Sequence, residues 1–115
     1  MTTAFTKEQV QNFVTRAQIE ASNAANKFFQ ERLGGRDQYA CGFAWVTVYE
    51  KGSTKLGRAL IAAGFRKAYG GGLQLWNPSG MPVQNVDTLE AGAEAAAEFL
   101  RNTLGVKAYA GSRLD

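Results

Sequence analysis

Apolar residues recur at steps of three and four along the first third of the chain. Val10, Phe13, Val14, Ala17, Ala21, Ala24, Ala25, Phe28 and Leu33 form one narrow, alanine-rich stripe, which predicts an amphipathic helix. Thr6 with Gln9 three residues on is a capping-box pair that satisfies free amides at the helix start. Gly34-Gly35 ends the element, since glycine takes the left-handed conformation at little cost. At about 1.5 Å per residue such a helix runs roughly 40 Å. A small sheet is shorter than that, so part of the helix is expected to pack against another subunit.

From Tyr39 to Tyr49 the pattern changes to strict alternation. Cys41, Phe43, Trp45, Thr47 and Tyr49 share one face and Ala40, Gly42, Ala44, Val46 and Val48 the other, so both faces are largely apolar and the strand is expected to be central. Ser53 or Thr54 then caps a short helix carrying Leu56, Ala59, Leu60 and Ala63 and ended by Gly64. Phe65 to Gly72, with three consecutive glycines, is expected to be a loop with basic and aromatic content. Leu73 to Trp76 predicts a second strand, with Leu73 and Leu75 opposed to Gln74 and Trp76, and Asn77-Pro78-Ser79-Gly80 a turn. A return strand over Met81 to Val86 is expected at a sheet edge because of Pro82. Asp87 with Glu90 predicts the cap of a last helix through Leu104, with Leu89, Ala93, Ala96, Ala97, Leu100 and Leu104 on one face. Gly105 closes it, and Val106 to Ala110 alternates as a final strand.

This order predicts one domain over residues 1–115, of the α/β or α+β class. It comprises a small three- to four-stranded mixed sheet, a long N-terminal helix and two further helices, with crossovers between parallel neighbours. No apolar run approaches the roughly 20 residues of a membrane span. A polar N-terminus, Thr2, Thr3, Thr6, Lys7, Glu8 and Gln9, carries no secretory pattern, so a cytoplasmic location is expected.

Composition then narrows the chemistry. The chain contains no histidine, which excludes triads built on imidazole, and its single cysteine, Cys41, excludes an internal disulfide and multi-thiolate metal sites. Cys41 sits among apolar neighbours and is expected to be buried. A net charge of +3 suits an anionic partner. The expectation is a binding protein rather than an enzyme, with no metal and no cofactor.

Two segments carry candidate binding chemistry. Arg66, Lys67 and Tyr69 precede Gly70-Gly71-Gly72, and Trp76 and Asn77 follow shortly after. Guanidinium and ammonium groups neutralise phosphate, rings stack on bases, and an asparagine amide can bond a base edge. The competing account makes Tyr69 and Trp76 partly buried core rings and the basic pair solvated surface. The triple glycine lacks the spacing of a nucleotide fingerprint and reads as a flexible connection. The second segment is Ser112, Arg113 and Asp115, which would emerge at a sheet end, where an arginine clamps phosphate and an aspartate accepts ribose hydroxyls. A solvated tail is the alternative there. Glu90, Glu94 and Glu98, at steps of four, form a solvent-facing ridge.

The runs Gly72-Leu73-Gln74-Leu75-Trp76-Asn77-Pro78-Ser79-Gly80, Asp87 through Leu104, and Gly105 to Asp115 resemble the endings of small bacteriophage accessory proteins, with Ser112-Arg113-Leu114-Asp115 the most recognisable part. The resemblance covers roughly the C-terminal two thirds of the chain. It extends to the Thoeris anti-defence "sponge" proteins, and so implies a homo-oligomer in the infected host cell that sequesters a small nucleotide immune signal, a cyclic ADP-ribose isomer or a cyclic oligonucleotide, without turnover. Two alternatives remain beside it: a nucleic-acid-binding accessory protein using the same residues in an open groove, and an anti-CRISPR type inhibitor of a host defence protein presenting Trp76, Phe65 and Tyr69 as interface anchors.

Overall fold

A computed structural model describes residues 5–115; the polar Thr2 and Thr3 lie outside them. The elements are α1 (Lys7–Leu33), β1 (Gly42–Val48), α2 (Lys55–Ala62), β2 (Arg66–Lys67), β3 (Leu73–Trp76), α3 (Val86–Leu104) and β4 (Ala108–Leu114). This is the α+β architecture the alternation of patterns implied, with the long first helix, two further helices and four strands. No helix among the described residues is long and apolar enough to cross a membrane.

The sheet order is β2-β3-β1-β4, and every neighbouring pair is antiparallel. The sheet is therefore not mixed in its pairing, as the helix-strand alternation suggested. Each crossover helix joins two parallel strands that are not neighbours, because a strand from the other half fills the gap between them. β1-α2-β2 closes around β3, and β3-α3-β4 around β1. That is the split β-α-β, or ferredoxin-like, connectivity, here preceded by α1.

The long helix begins as its sequence dictates. Thr6 Oγ1 accepts from the Gln9 amide at 3.1 Å, and Gln9 Oε1 accepts from the Thr6 amide at 2.9 Å. Its buried stripe is Val10, Val14, Ala17, Ala21, Ala25 and Leu33. That stripe is covered within the protomer, chiefly by α3 and near its start by α2, so the helix length by itself does not call for another subunit. Close approach is what the alanines permit: a side chain at Gly92 of α3 would meet Ser79 Cβ at 2.9 Å and the Ala21 carbonyl at 3.1 Å.

Several local expectations are corrected. The Phe65–Gly72 segment is not wholly a loop. Arg66 and Lys67 pair with Gln74 and Leu73 as the short edge strand β2, and Phe65 is buried in the core at 1% exposure. Met81 to Val86 makes no strand: Val86 already opens α3, and among the described residues the segment's one bridge is Cys41 with Asn85. The cap of α3 is Asn85, whose side chain accepts from the Thr88 amide at 2.8 Å, rather than Asp87. Asp87 instead sits in the first turn, where its negative charge complements the helix dipole. The last strand runs to Leu114, so the terminal residues are strand and not a tail beyond a sheet end.

One face of the sheet is sealed. Ala44, Val46, Val48, Leu73, Leu75 and Ala108 join the helix residues Leu60, Leu89, Ala93, Leu100 and Leu104 in one core. Fully burying each valine or leucine of this set stabilises the fold by about 1.5–3 kcal/mol relative to exposure, each alanine by about 0.8 kcal/mol or less. Among the described residues no helix covers the other sheet face, and that face positions the candidate site.

Candidate functional site

The alternation of β1 sends Phe43, Trp45 and Thr47 to the open face. Register decides their neighbours. Trp45 is opposite Trp76 of β3 and Gly111 of β4, Thr47 is opposite Gln74 and Tyr109, and Phe43 is opposite Arg113. The Trp45 and Trp76 rings lie 4.9 Å apart at 33°, and Phe43 meets Trp76 edge-on at 6.0 Å. Three rings thus stand side by side on the two central strands, and Trp76 is 47% exposed.

Gly111 makes this possible. A side chain there would fall 2.6 Å from Trp45 Nε1, so the absence of a Cβ lets the indole lie across β4. Arg113 places its guanidinium 5.4 Å from the Phe43 ring centre, a cation–π contact that also holds its charge over the face. On the opposite edge, Arg66 is paired with Gln74 and so shares the face of Trp76; Gln74 Oε1 accepts from Trp76 Nε1 at 3.2 Å. Farther along, Tyr49 and Tyr109 form a second ring pair at 6.2 Å.

Beside Trp76 the face deepens into a hollow of about 480 Å³. Its lining includes Phe43, Trp76, Asn77, Pro82, Gln84 and Asp115. The outer wall, Met81 to Gln84, is held in place by Asp37. The carboxylate accepts from the Gln84 amide, the Asn85 amide and the Asn85 side chain, each at 2.9 Å. These bonds, the Asn85 side chain first, hold the Asp37 pKa below the ordinary carboxylate value. A depressed folded pKa adds stability that is complete above the unfolded value, about pH 4, and is lost as pH falls through the lower folded value. The melting-temperature gap between the parent and Asp37→Asn is accordingly expected to be constant near neutrality and to close in acid, as measured by thermal melts across pH 2–7; a gap unchanged at low pH contradicts the clamp.

Of the residues singled out from sequence, Arg66, Trp76 and Arg113 come together on the open face. Asn77 and Asp115 line the adjoining hollow. The Asn77 amide is engaged by the turn, donating to the Met81 carbonyl at 3.2 Å and accepting from Ser79 Oγ at 3.1 Å. Lys67, Tyr69 and Ser112 lie elsewhere. Lys67 faces the helix side with its stem beside Gly52, Tyr69 is fully exposed at the tip of the β2–β3 hairpin, and Ser112 donates to Glu90 of α3. Cys41 is exposed, not buried: it has the phase of Phe43 and Trp45, on the uncovered side, and its thiol lies 3.8 Å from Gln84 Oε1. Phe43 and Trp45 belong to the site although the sequence singled out neither. Their shared alternation was the available signal, and only the pairing with β3 shows that it continues into Trp76. No protein-family profile, curated protein or solved structure matches the chain.

Proposed function

We propose that the protein binds single-stranded nucleic acid by stacking bases on the open sheet face, holding the strand without transforming it. The observation that supports this is the row Phe43, Trp45 and Trp76 on the central strands, flanked by the guanidinium groups of Arg66 and Arg113. Every base offers a π-face, so three adjoining rings suit a run of bases of any sequence, at about 1–3 kcal/mol per stacked base. Arginines at the margins take the phosphates that pass beside the rings. An open face also accepts a strand that continues beyond it at both ends, which a closed pocket does not.

Salt dependence tests the electrostatic half. Two phosphates neutralised on a single strand give a log–log slope of binding constant against salt of about −1.4, since each contributes about −0.7. Arg113→Ala is expected to bring the slope nearer zero by about 0.7, measured by tryptophan fluorescence titration with an oligouridylate. A slope unchanged by Arg113→Ala removes that residue from the phosphate path.

A second reading has the hollow beside Trp76 in its favour. Its size of about 480 Å³ lies in the range of small-molecule sites, and Trp76, Gln84 and Asp115 give it one ring, one amide and one acceptor for ribose hydroxyls. In that reading the ligand is a small nucleotide signal, a cyclic ADP-ribose isomer or a cyclic oligonucleotide, withheld in the cytoplasm of an infected host cell. Tight binding of a cyclic dinucleotide with no measurable binding of the oligouridylate selects this reading over the first.

A further inference from the structure

β4 is an edge strand: β1 pairs with one side of it, and among the described residues nothing pairs with the other. The phase of the ladder fixes which backbone groups are left over. The Tyr49 amide donates to the Lys107 carbonyl at 2.9 Å, and the Asp115 amide donates to the Cys41 carbonyl at 3.0 Å. Antiparallel hydrogen-bonded pairs recur every second residue, so Tyr109, Gly111 and Arg113 also turn their N–H and C=O groups to β1. Ala108, Ala110, Ser112 and Leu114 turn theirs to the free edge. Edges of this length are ordinarily blunted by proline, a bulge or charged side chains; Ala-Tyr-Ala-Gly-Ser-Arg-Leu has no proline, its ladder has no bulge, and its one charge, Arg113, is turned to the open face over Phe43. Among the described residues the cover is at one end, where Arg101 Nη1 donates to the Ala108 carbonyl at 2.7 Å and the guanidinium lies 5.8 Å from the Tyr109 ring centre, leaving that oxygen a second lone pair.

We infer that β4 pairs antiparallel with β4 of a second copy of this chain about a two-fold axis at Gly111, making one continuous eight-stranded sheet. The occupant follows from the geometry. Only a strand satisfies a row of alternating donors and acceptors, and the chain's other edge, β2, is two residues long, too short to serve as the partner. Gly111 is the centre of Ala108–Leu114, and pairing about it uses the full length of the strand. Ala110 then meets Ser112 of the second copy, and Ala108 meets Leu114, with about eight ladder hydrogen bonds in all. On the helix side, Leu114, exposed in the single chain, packs beside the Ala108 position of the other copy. On the open face, Tyr109 falls opposite Arg113 in the closer, non-hydrogen-bonded class of pair, a cation–π geometry made twice by the symmetry. Glu90, bonded to Ser112, brings like charges toward each other across the axis, so salt strengthens this pairing through screening, whereas it weakens phosphate binding. The pairing does not depend on what the open face holds.

Amide hydrogen exchange followed residue by residue in the intact protein tests it without mutation. The amides of Tyr109, Gly111 and Arg113 are protected by β1 at every concentration; those of Ala110, Ser112 and Leu114 are expected to gain protection as concentration rises from micromolar to hundreds of micromolar. Sedimentation equilibrium is expected to give twice the 12.4 kDa chain mass at the upper end. Ala110→Pro removes an edge-facing N–H while sparing the β1 ladder, and Leu114→Lys places a charge on the edge without touching the core. Either is expected to return the protein to single-chain mass with its circular dichroism retained, and if Ala110→Pro does not fold, Leu114→Lys decides alone. Single-chain mass in the parent at hundreds of micromolar, fast exchange of the even-numbered amides throughout, or a dimer that survives the folded variants overturns the inference.

Discussion

Replacing Trp76 by alanine is expected to weaken binding of a single-stranded oligonucleotide by about tenfold to a hundredfold, the equivalent of one lost base stack. The indole is the most central of the exposed rings: it contacts both Trp45 and Phe43, and it also lines the hollow beside the face. Because it is about half exposed, its removal sacrifices two aromatic pairs, about 0.5–1.5 kcal/mol each beyond the area the ring buries, and the hydrogen bond to Gln74, without opening the core. Fluorescence anisotropy with a labelled oligonucleotide gives the affinity, and thermal melting gives the fold. Unchanged affinity in a folded Trp76→Ala protein would remove the stacking face from the mechanism. Collapse of the fold would reassign the ring to structure.

Phe65→Ala is expected to have the opposite character, costing about 3–5 kcal/mol of stability. That is a large share of the roughly 5–15 kcal/mol that holds an ordinary domain together. Phe65 is 1% exposed and belongs to the core under the sheet, and its amide donates to the Leu60 carbonyl at 3.0 Å where α2 turns into β2. A large cavity at that corner would loosen the contact between α2 and the edge of the sheet. Urea denaturation measures the loss. A change below about 1 kcal/mol would mean that the ring is not packed as the fold requires, and would restore Phe65 to the surface, as the anchor an inhibitor of a host protein would use.

Elements whose period extends over many residues were legible in the sequence. The stripe of α1, its Thr6–Gln9 cap and the buried face of α3 all follow from spacing alone, because the covering surface for a helix stripe is set by the helix itself. What escaped depends on contacts far apart in the chain. Arg66-Lys67 is too short to show a period, and it is a strand only because β3 is beside it. Asn85 and Asp87 both offer a capping side chain; Asp37, nearly fifty positions earlier, fixes the backbone and amide of Asn85 and so selects the cap. The same clamp takes up the Gln84 amide, while the Gln84 carbonyl accepts from the Gly42 amide of β1, so the segment meets the sheet at this one point and makes no strand. β1 illustrates the limit most sharply. Alternation correctly separated Cys41, Phe43 and Trp45 from Ala44, Val46 and Val48, yet with both sets apolar nothing local says which set the helices cover. The small inward side chains settle it, since they let alanine-lined helices approach closely, and the rings are left facing out.

Because the three helices of the described residues lie on one side, the core that holds this fold and the open ring-bearing face proposed as the binding surface scarcely overlap. Substitutions at exposed positions away from caps and core commonly shift stability by less than about 0.5 kcal/mol, so Tyr109, 52% exposed, is free to vary in size and polarity with little penalty to the scaffold, whereas Thr47 opposite it is buried. If the open face binds a ligand as proposed, single replacements at its exposed positions could retune it, with Gly111 a fixed point, since any larger residue there would lift the Trp45 indole away from its neighbours.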